Sequence, residues 1–326
     1  MNIWPIALMS LVQFLPESPR FYIYHDREED AQHSLSSLYG DDAESKLKEL
    51  KEAHDKEPSS VSYTDMLLPG REQFHPTVLT VMAQVNQAFT GHGAVSVYGP
   101  QIFELLGFGV FEAEFITEGN YICYFFLTTF AWLLIDAVGR RRLMLWNSAG
   151  LITMFLLLTL FGGLATQADK LGIASGPPAI LGCIALYICT GHFGIGWLSP
   201  VFLIPTEIYP TTARAQGTAI SVIVWGLANF VVTLMTPILF NNLKYWLFLV
   251  FAGTNIIAGA FTYLYQPECG GRSFEENQEF FEHCREEGSW RVGKVAGGKF
   301  ENFPPAQKGA DGERQPLLSR VREQLE

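Results

Sequence analysis

Charge is what this chain has least of along its middle. Only 17% of its 326 residues are Asp, Glu, Lys or Arg, and they crowd residues 16–75 and 266–326. Windows 77–103, 121–138, 143–165, 179–206, 215–239 and 244–265 are each long and mostly uncharged. A helix needs roughly 20 apolar residues to cross a hydrocarbon core of ~30 Å, so six spans fit, and six in succession point away from a soluble domain. Cysteine is also scarce. Cys123, Cys183, Cys189, Cys269 and Cys284 show no CxxC spacing, which points away from zinc and redox chemistry and leaves free thiols. The sequence has no phosphate-cradling loop, metal-ligand cluster or nucleophile triad, so no enzyme, no cofactor and no nucleic-acid partner is expected. A basic n-region and a small-residue cleavage site are missing from MNIWPIALMSLVQFL, so residues 1–15 read as the end of a membrane helix rather than a signal peptide.

What is present has a direction. With the 16–75 loop fixed on one side, all of the 22 Lys and Arg except Lys170 and Lys244 fall on that side. Basic residues mark the cytoplasmic face, so loop and tail are placed there. The net charge of −11 says little about partners, because orientation reads bases and largely ignores acids. The expected organisation is a membrane-helix remnant at 1–15, a cytoplasmic helical loop at 16–75, a six-helix bundle at 76–266, a cytoplasmic helix at 267–287 and a disordered tail at 288–326. In the loop, Asp26 and Asp41 are N-cap candidates, and Ala43, Leu47, Leu50 and Ala53 give the second helix a narrow apolar stripe. Pro76 opens the first full span, where a missing N–H costs nothing.

His92 and His192 are the ionisable groups deep in the spans. Two readings stay open for them: a packing or helix-bridging role, or a ligand or proton role, since burying an ionisable group in a membrane is costly.

Three short runs lie at cytoplasmic helix ends: PESPR at Pro16–Arg20, DAVGRR at Asp136–Arg141 and PECGGRSFEE at Pro267–Glu276. With PTEIYP around Glu207, and Arg214, they resemble the cytoplasmic signatures of the sugar porter branch of the major facilitator superfamily. The resemblance covers residues 1 to about 287. It implies an all-α polytopic fold, the six spans forming two inverted triplets, 77–165 and 179–265. Thr90-Gly91-His92 and Thr190-Gly191-His192 recur in the first helix of each. It also implies that Glu17, Arg20, Asp136, Arg140, Arg141, Glu207, Arg214, Glu268 and Arg272 form a charged cytoplasmic gate. In such porters PESPR follows the sixth of twelve helices, so the chain resembles a C-terminal half.

The substrate side departs from the family pattern. A QQ(L/F)SGINA-like run becomes Gln87-Ala88-Phe89-Thr90-Gly91-His92-Gly93-Ala94, which keeps the first Gln and loses the Asn. GWGPxPW becomes Gly196-Trp197-Leu198-Ser199-Pro200-Val201-Phe202, and an Asn-Trp-x-x-Asn run becomes Trp225-Gly226-Leu227-Ala228-Asn229. Fewer amides mean weaker hexose binding, because each unmatched hydroxyl is desolvated without a partner. The resemblance implies passage of a sugar or sugar-like acid by alternating access, with Gln87, His92, Phe202 and Asn229 as the half-site. The expected setting is the lipid bilayer, plasma membrane first, with an N-terminal half-bundle or self-association completing the cavity. A non-transporting remnant or partner-binding half-protein is the alternative.

Overall fold

The computed structural model describes residues 10, 17–25, 27–40, 43–56 and 61–304. The chain divides into two compact units, Met1–Ser60 and Val61–Glu326. In the first, α1 (Pro19–Tyr24), α2 (Glu28–Tyr39) and α3 (Ala43–Lys56) surround buried Ile23, Ala31, Leu35 and Ala43. Proline opens α1, and Lys51 pairs with Glu28 between α3 and α2. Leu47 and Leu50 are half-buried on α3, as an amphipathic stripe requires. Asp26, Asp41 and nearly all of the 1–15 run lie outside the described residues.

The second unit begins with α4 (Tyr63–Leu67), whose Met66 packs against Tyr209 and Ala213. Then α5 (Phe74–Phe89), α6 (His92–Val97) and α7 (Gly99–Leu105) make one rod with breaks. Gly91, at φ +90°, supplies the first break. The next rods are α8 (Val110–Thr129) with α9 (Ala131–Val138), and α10 (Arg140–Thr166). After the short α11 (Ala168–Leu171) come α12 (Gly176–Phe193), a π-helical turn at Gly194–Leu198 and α13 (Ser199–Ile208). The last two rods are α14 (Thr211–Leu243) and α15 (Leu247–Tyr265). Among the described residues, four stretches are long and apolar enough to cross a membrane: Val110–Val138, Arg140–Thr166, Gly176–Ile208 and Thr212–Tyr265. The 54 residues of the last turn back at Lys244 (φ +51°), so at about 1.5 Å per residue they hold two crossings. With the broken α5–α7 rod this gives six.

One span starts earlier than its charges suggest. A run from residue 121 is expected, yet α8 starts at Val110 and carries exposed Glu112, Glu114 and Glu118 in its N-terminal half. Glu112 accepts from the Gly109 N–H at 3.1 Å, and a carboxylate is at home at a helix N-terminus. Phe103, Phe155, Leu186, Trp197, Ile204 and Phe248 fill the bundle's interior. Outward faces carry Phe111, Phe125 and Phe126 on α8 and Ile223, Leu227 and Phe230 on α14, apolar surface of the kind lipid covers. The five cysteines are free, Cys189, Cys269 and Cys284 buried and the other two half-buried.

Beyond the bundle, α16 (Phe274–Glu286) opens with a capping box between Ser273 and Glu276. Phe280, Phe281 and Cys284 face inward. The expectation of disorder from residue 288 is corrected for residues 288–304. Val292, Val295 and Phe300 are fully buried, and a 3₁₀ turn runs over Val295–Glu301. The segment has no helical or strand period because Ala296, Gly297 and Gly298 hold positive φ. Residues 305–326 lie outside the described residues.

This dock predicts a pH effect. The His75 ring, 8% exposed, stacks on Trp290 at 4.1 Å and meets Phe281 edge-on at 5.2 Å. Burial lowers its pKa from 6.5 to about 4, so the folded state holds it neutral. The unfolded chain takes up the proton first as pH falls, so stability is full above about 6.5 and declines toward 4, by about 3 kcal/mol in all. The Trp290 fluorescence, isolated by difference from Trp290→Phe, is expected to report loosening in that window. His75→Gln should flatten the curve; an unchanged curve would assign the loosening to another group.

Candidate functional site

The charged residues at one end of the bundle converge on the turn between α9 and α10. Gly139 makes that turn at φ +96°, a conformation that a side chain resists. The Glu268 carboxylate sits beneath the exposed N–H groups of α10. It accepts from the Arg140 N–H at 2.9 Å, the Arg141 N–H at 3.2 Å and the Gly270 N–H at 3.0 Å. An anion there meets both the unpaired donors and the positive end of the helix dipole. Glu268 is fully buried, and that burial pushes its carboxyl pKa up against the pull of these donors.

Arg140 points the other way. Its guanidinium reaches Glu207 at 2.7 Å and Asp136 at 2.9 Å, and donates to the Ile135 carbonyl at 3.0 Å. It thereby ties α9, α10 and α13 together. The second oxygen of Glu207 is buried and accepts nothing among the described residues. Arg141 donates to the main-chain carbonyls of Glu301 and Tyr263, at 2.9 and 2.8 Å. Arg272 donates to the carbonyls of Glu268, Lys299 and Asn302. Of the expected gate, Asp136, Arg140, Glu207 and Glu268 therefore meet in one network, with Arg141 and Arg272 beside it. Arg214 is half-buried on α14. Glu17 is exposed in the first unit, where its carbonyl accepts from Ser34 Oγ at 3.2 Å, and Arg20 lies on α1. Sequence reasoning missed Asn277 and Gln278, which donate to the carbonyls of Glu207 and Ile208. Their place one turn into a capped helix was the available signal.

The four expected half-site residues have separate surroundings, and only Phe202 and Asn229 share a stretch of α14 through Trp225. Asn229, on α14, donates to the Trp225 carbonyl one turn back at 2.9 Å. Its Oδ1 lies 3.1 Å from where a Cβ on Gly93 would stand. The amide therefore occupies the space that the lost Asn at position 93 leaves open. Phe202 meets Trp225 edge-on at 5.7 Å, which links α13 to the same stretch of α14. His92 stacks on Phe193 at 3.9 Å and tilts against Tyr124 at 4.9 Å, and its ring makes no hydrogen bond among the described residues. Gln87 is buried and donates to the Trp197 carbonyl at 3.4 Å, in the π-helical turn. A second amide went unnoticed in the sequence. Gln84, fully buried one turn before Gln87, donates to Ser221 Oγ at 2.8 Å, and its own oxygen has no partner among the described residues. The three-residue spacing from Gln87 was the clue, since it puts both amides on one helix face.

His192 takes the bridging role. Its Nδ1 lies 2.8 Å from Asn147 Oδ1 and joins α12 to α10. A cavity of about 300 Å³ lies elsewhere, among Glu72, Gln73, Thr212, Gln278 and Arg285.

Comparison with known proteins agrees with this architecture. A family profile described as Sugar (and other) transporter matches residues 1–281. The Staphylococcus epidermidis glucose transporter GlcP is 29% identical over 273 residues, 83% of this chain and 58% of its own length. The dog solute carrier family 2, facilitated glucose transporter member 3, is 26% identical over 294 residues, 86% of this chain and 58% of its own. The chain thus spans less than two thirds of the length of each of these two relatives. Among solved structures, the proton:xylose symporter XylE bound to 6-bromo-6-deoxy-D-glucose superposes with a TM-score of 0.61 at 22% identity, covering 85% of this chain and 56% of that one. The inward-open form of XylE from E. coli gives 0.63, covering 84% and 53%. At that identity the likeness carries the fold, a major-facilitator-type half bundle in a membrane.

Proposed function

Because the chain belongs to the Sugar (and other) transporter family, whose members are transporters rather than enzymes, we propose that its bundle is the C-terminal half of an alternating-access machine for a sugar or sugar-like acid. The observation that carries this reading is the network at the α9–α10 turn. Alternating access needs contacts that can be made and broken as two bundles rock. Arg140 holds Glu207 through one oxygen only, so a second cation from a facing bundle has an acceptor ready for it. Gln87, His92, Phe202 and Asn229 carry amides, an imidazole and an aromatic ring, a set suited to hydroxyl-bearing solutes. The Lys and Arg distribution supports cytoplasmic loops and tail, and the family setting supports the plasma membrane.

Uptake of labelled hexoses, pentoses, polyols and uronic acids tests this, with the full chain expressed alone and fused behind a family N-terminal half. The expected result is uptake of at least one class, with KM raised about tenfold by Asn229→Ala and by Gln87→Ala, the loss of about one solute hydrogen bond each. Uptake with KM unmoved removes these residues from the site. No uptake in either form removes the transport reading and leaves a partner-binding half-protein.

A further inference from the structure

The family profile ends at residue 281, yet the chain continues in an ordered path across the gate. Residues 289–303 begin with Trp290 stacked on His75 and proceed through Val292, whose N–H donates to the Leu264 carbonyl at 2.9 Å. Phe300 is fully buried beside Phe280, ring centres 5.2 Å apart. From there four consecutive residues engage the gate. The Lys299 and Asn302 carbonyls accept from Arg272 at 2.7 and 3.1 Å. The Phe300 carbonyl accepts from the Glu268 N–H at 2.8 Å. The Glu301 carbonyl accepts from Arg141 at 2.9 Å, and Asn302 Oδ1 accepts from Arg142 at 3.1 Å. The Phe303 ring then presses on the Gly139 turn and the Gly270–Gly271 loop, so close that a Cβ on any of the three would stand within 3.0 Å of it.

The acceptors are mostly neutral carbonyls, and that has a consequence. Arg141 places both terminal NH groups on carbonyls, its Nε meeting no acceptor among the described residues. Arg272 likewise donates to carbonyls, so neither bonds Glu207 or Glu268 in competition with Arg140 or the α10 amides. We propose that residues 289–303 are a strap that positions the gate: the strap holds Glu268 under the N-terminus of α10 and keeps Arg141 and Arg272 off the carboxylates, leaving Glu207 to Arg140. Phe300 and Phe303 are its positioning residues. The pair of Lys299 with Glu279, at 2.8 Å, fastens the strap to α16.

Amide hydrogen exchange on the full chain in lipid nanodiscs tests the strap, with uptake playing no part, so its outcome is separate from the transport reading. The variants are Phe303→Ala, Phe300→Ala and a stop after Gly288, with a stop after Pro304 as control. Expected is at least tenfold faster exchange at the Arg140, Arg141 and Gly270 amides, with α12 protection kept and the control like the parent. Faster exchange confined to residues 289–303 would reduce the strap to packing and overturn the proposal. Where the stop after Gly288 also strips α12 of protection, the full-length Phe303→Ala chain decides: gate amides released supports the strap, gate amides unchanged overturns it.

Discussion

Glu268→Ala is expected to cost about 3–5 kcal/mol of stability, and Glu268→Gln less than half of that. The size follows from what the carboxylate does. Two N–H groups of α10 and that of Gly270 converge on it in a site with no access to solvent. Alanine leaves all three buried and unpaired, and breaking a buried charged contact from one side costs about 3–5 kcal/mol. Glutamine separates the two candidate causes. Burial raises the carboxyl pKa above its ordinary value despite the donors, so holding the negative charge here is uphill relative to water. The stabilisation therefore comes from the acceptor atoms more than from the charge. Glutamine keeps one acceptor oxygen and fails one donor, a loss of about 1–2 kcal/mol. Denaturant titration of the purified chain in mild detergent reads both. Equal losses for alanine and glutamine would mean that the charge, through Arg140 and Arg141, dominates instead.

The same residue shows how far the sequence could be read. PECGGR and DAVGRR stand out by their resemblance to sugar-porter signatures, so a charged cluster holding both Glu268 and Arg140 was legible in outline. Which atoms meet was not. Arg140 and Glu268, a cation and an anion, touch through the Arg140 main chain, while its guanidinium turns to Glu207 and Asp136. The strap was invisible for a related reason. Its hold on Arg141 and Arg272 runs through carbonyls that every residue type carries, and its positive-φ stretch at Ala296–Gly298 erases any period. At the expected half-site, the family pattern shows an amide lost at Gly93 and one kept at Asn229. Only the packing of α6 on α14 shows that the second fills the space of the first.

A last contrast turns on one tripeptide used twice. Thr90-Gly91-His92 and Thr190-Gly191-His192 are identical in sequence, yet Gly91→Ala is expected to cost about 2–5 kcal/mol and Gly191→Ala close to nothing. Gly91 breaks a helix at φ +90°, where an L side chain costs about 1–2 kcal/mol. A Cβ there would also stand 2.6 Å from the Phe251 ring, and overpacking a filled interior adds about 1–3 kcal/mol. The break is built from both sides: the Phe89 and Thr90 carbonyls that it frees accept from Thr254 Oγ1 at 2.7 Å and Asn255 Nδ2 at 3.0 Å on α15. Neither the turn nor the ring can yield without losing those bonds. Gly191 lies inside the continuous α12, and a Cβ there meets the tip of Leu127 at 2.8 Å, the movable end of a flexible side chain. The gain of about 1 kcal/mol from replacing a helical glycine by alanine offsets that adjustment. The two variants, titrated side by side in detergent, measure the break directly. Equal costs would mean that α5 and α6 join without a left-handed residue, and that the bend at Gly91 belongs to no fixed part of the fold.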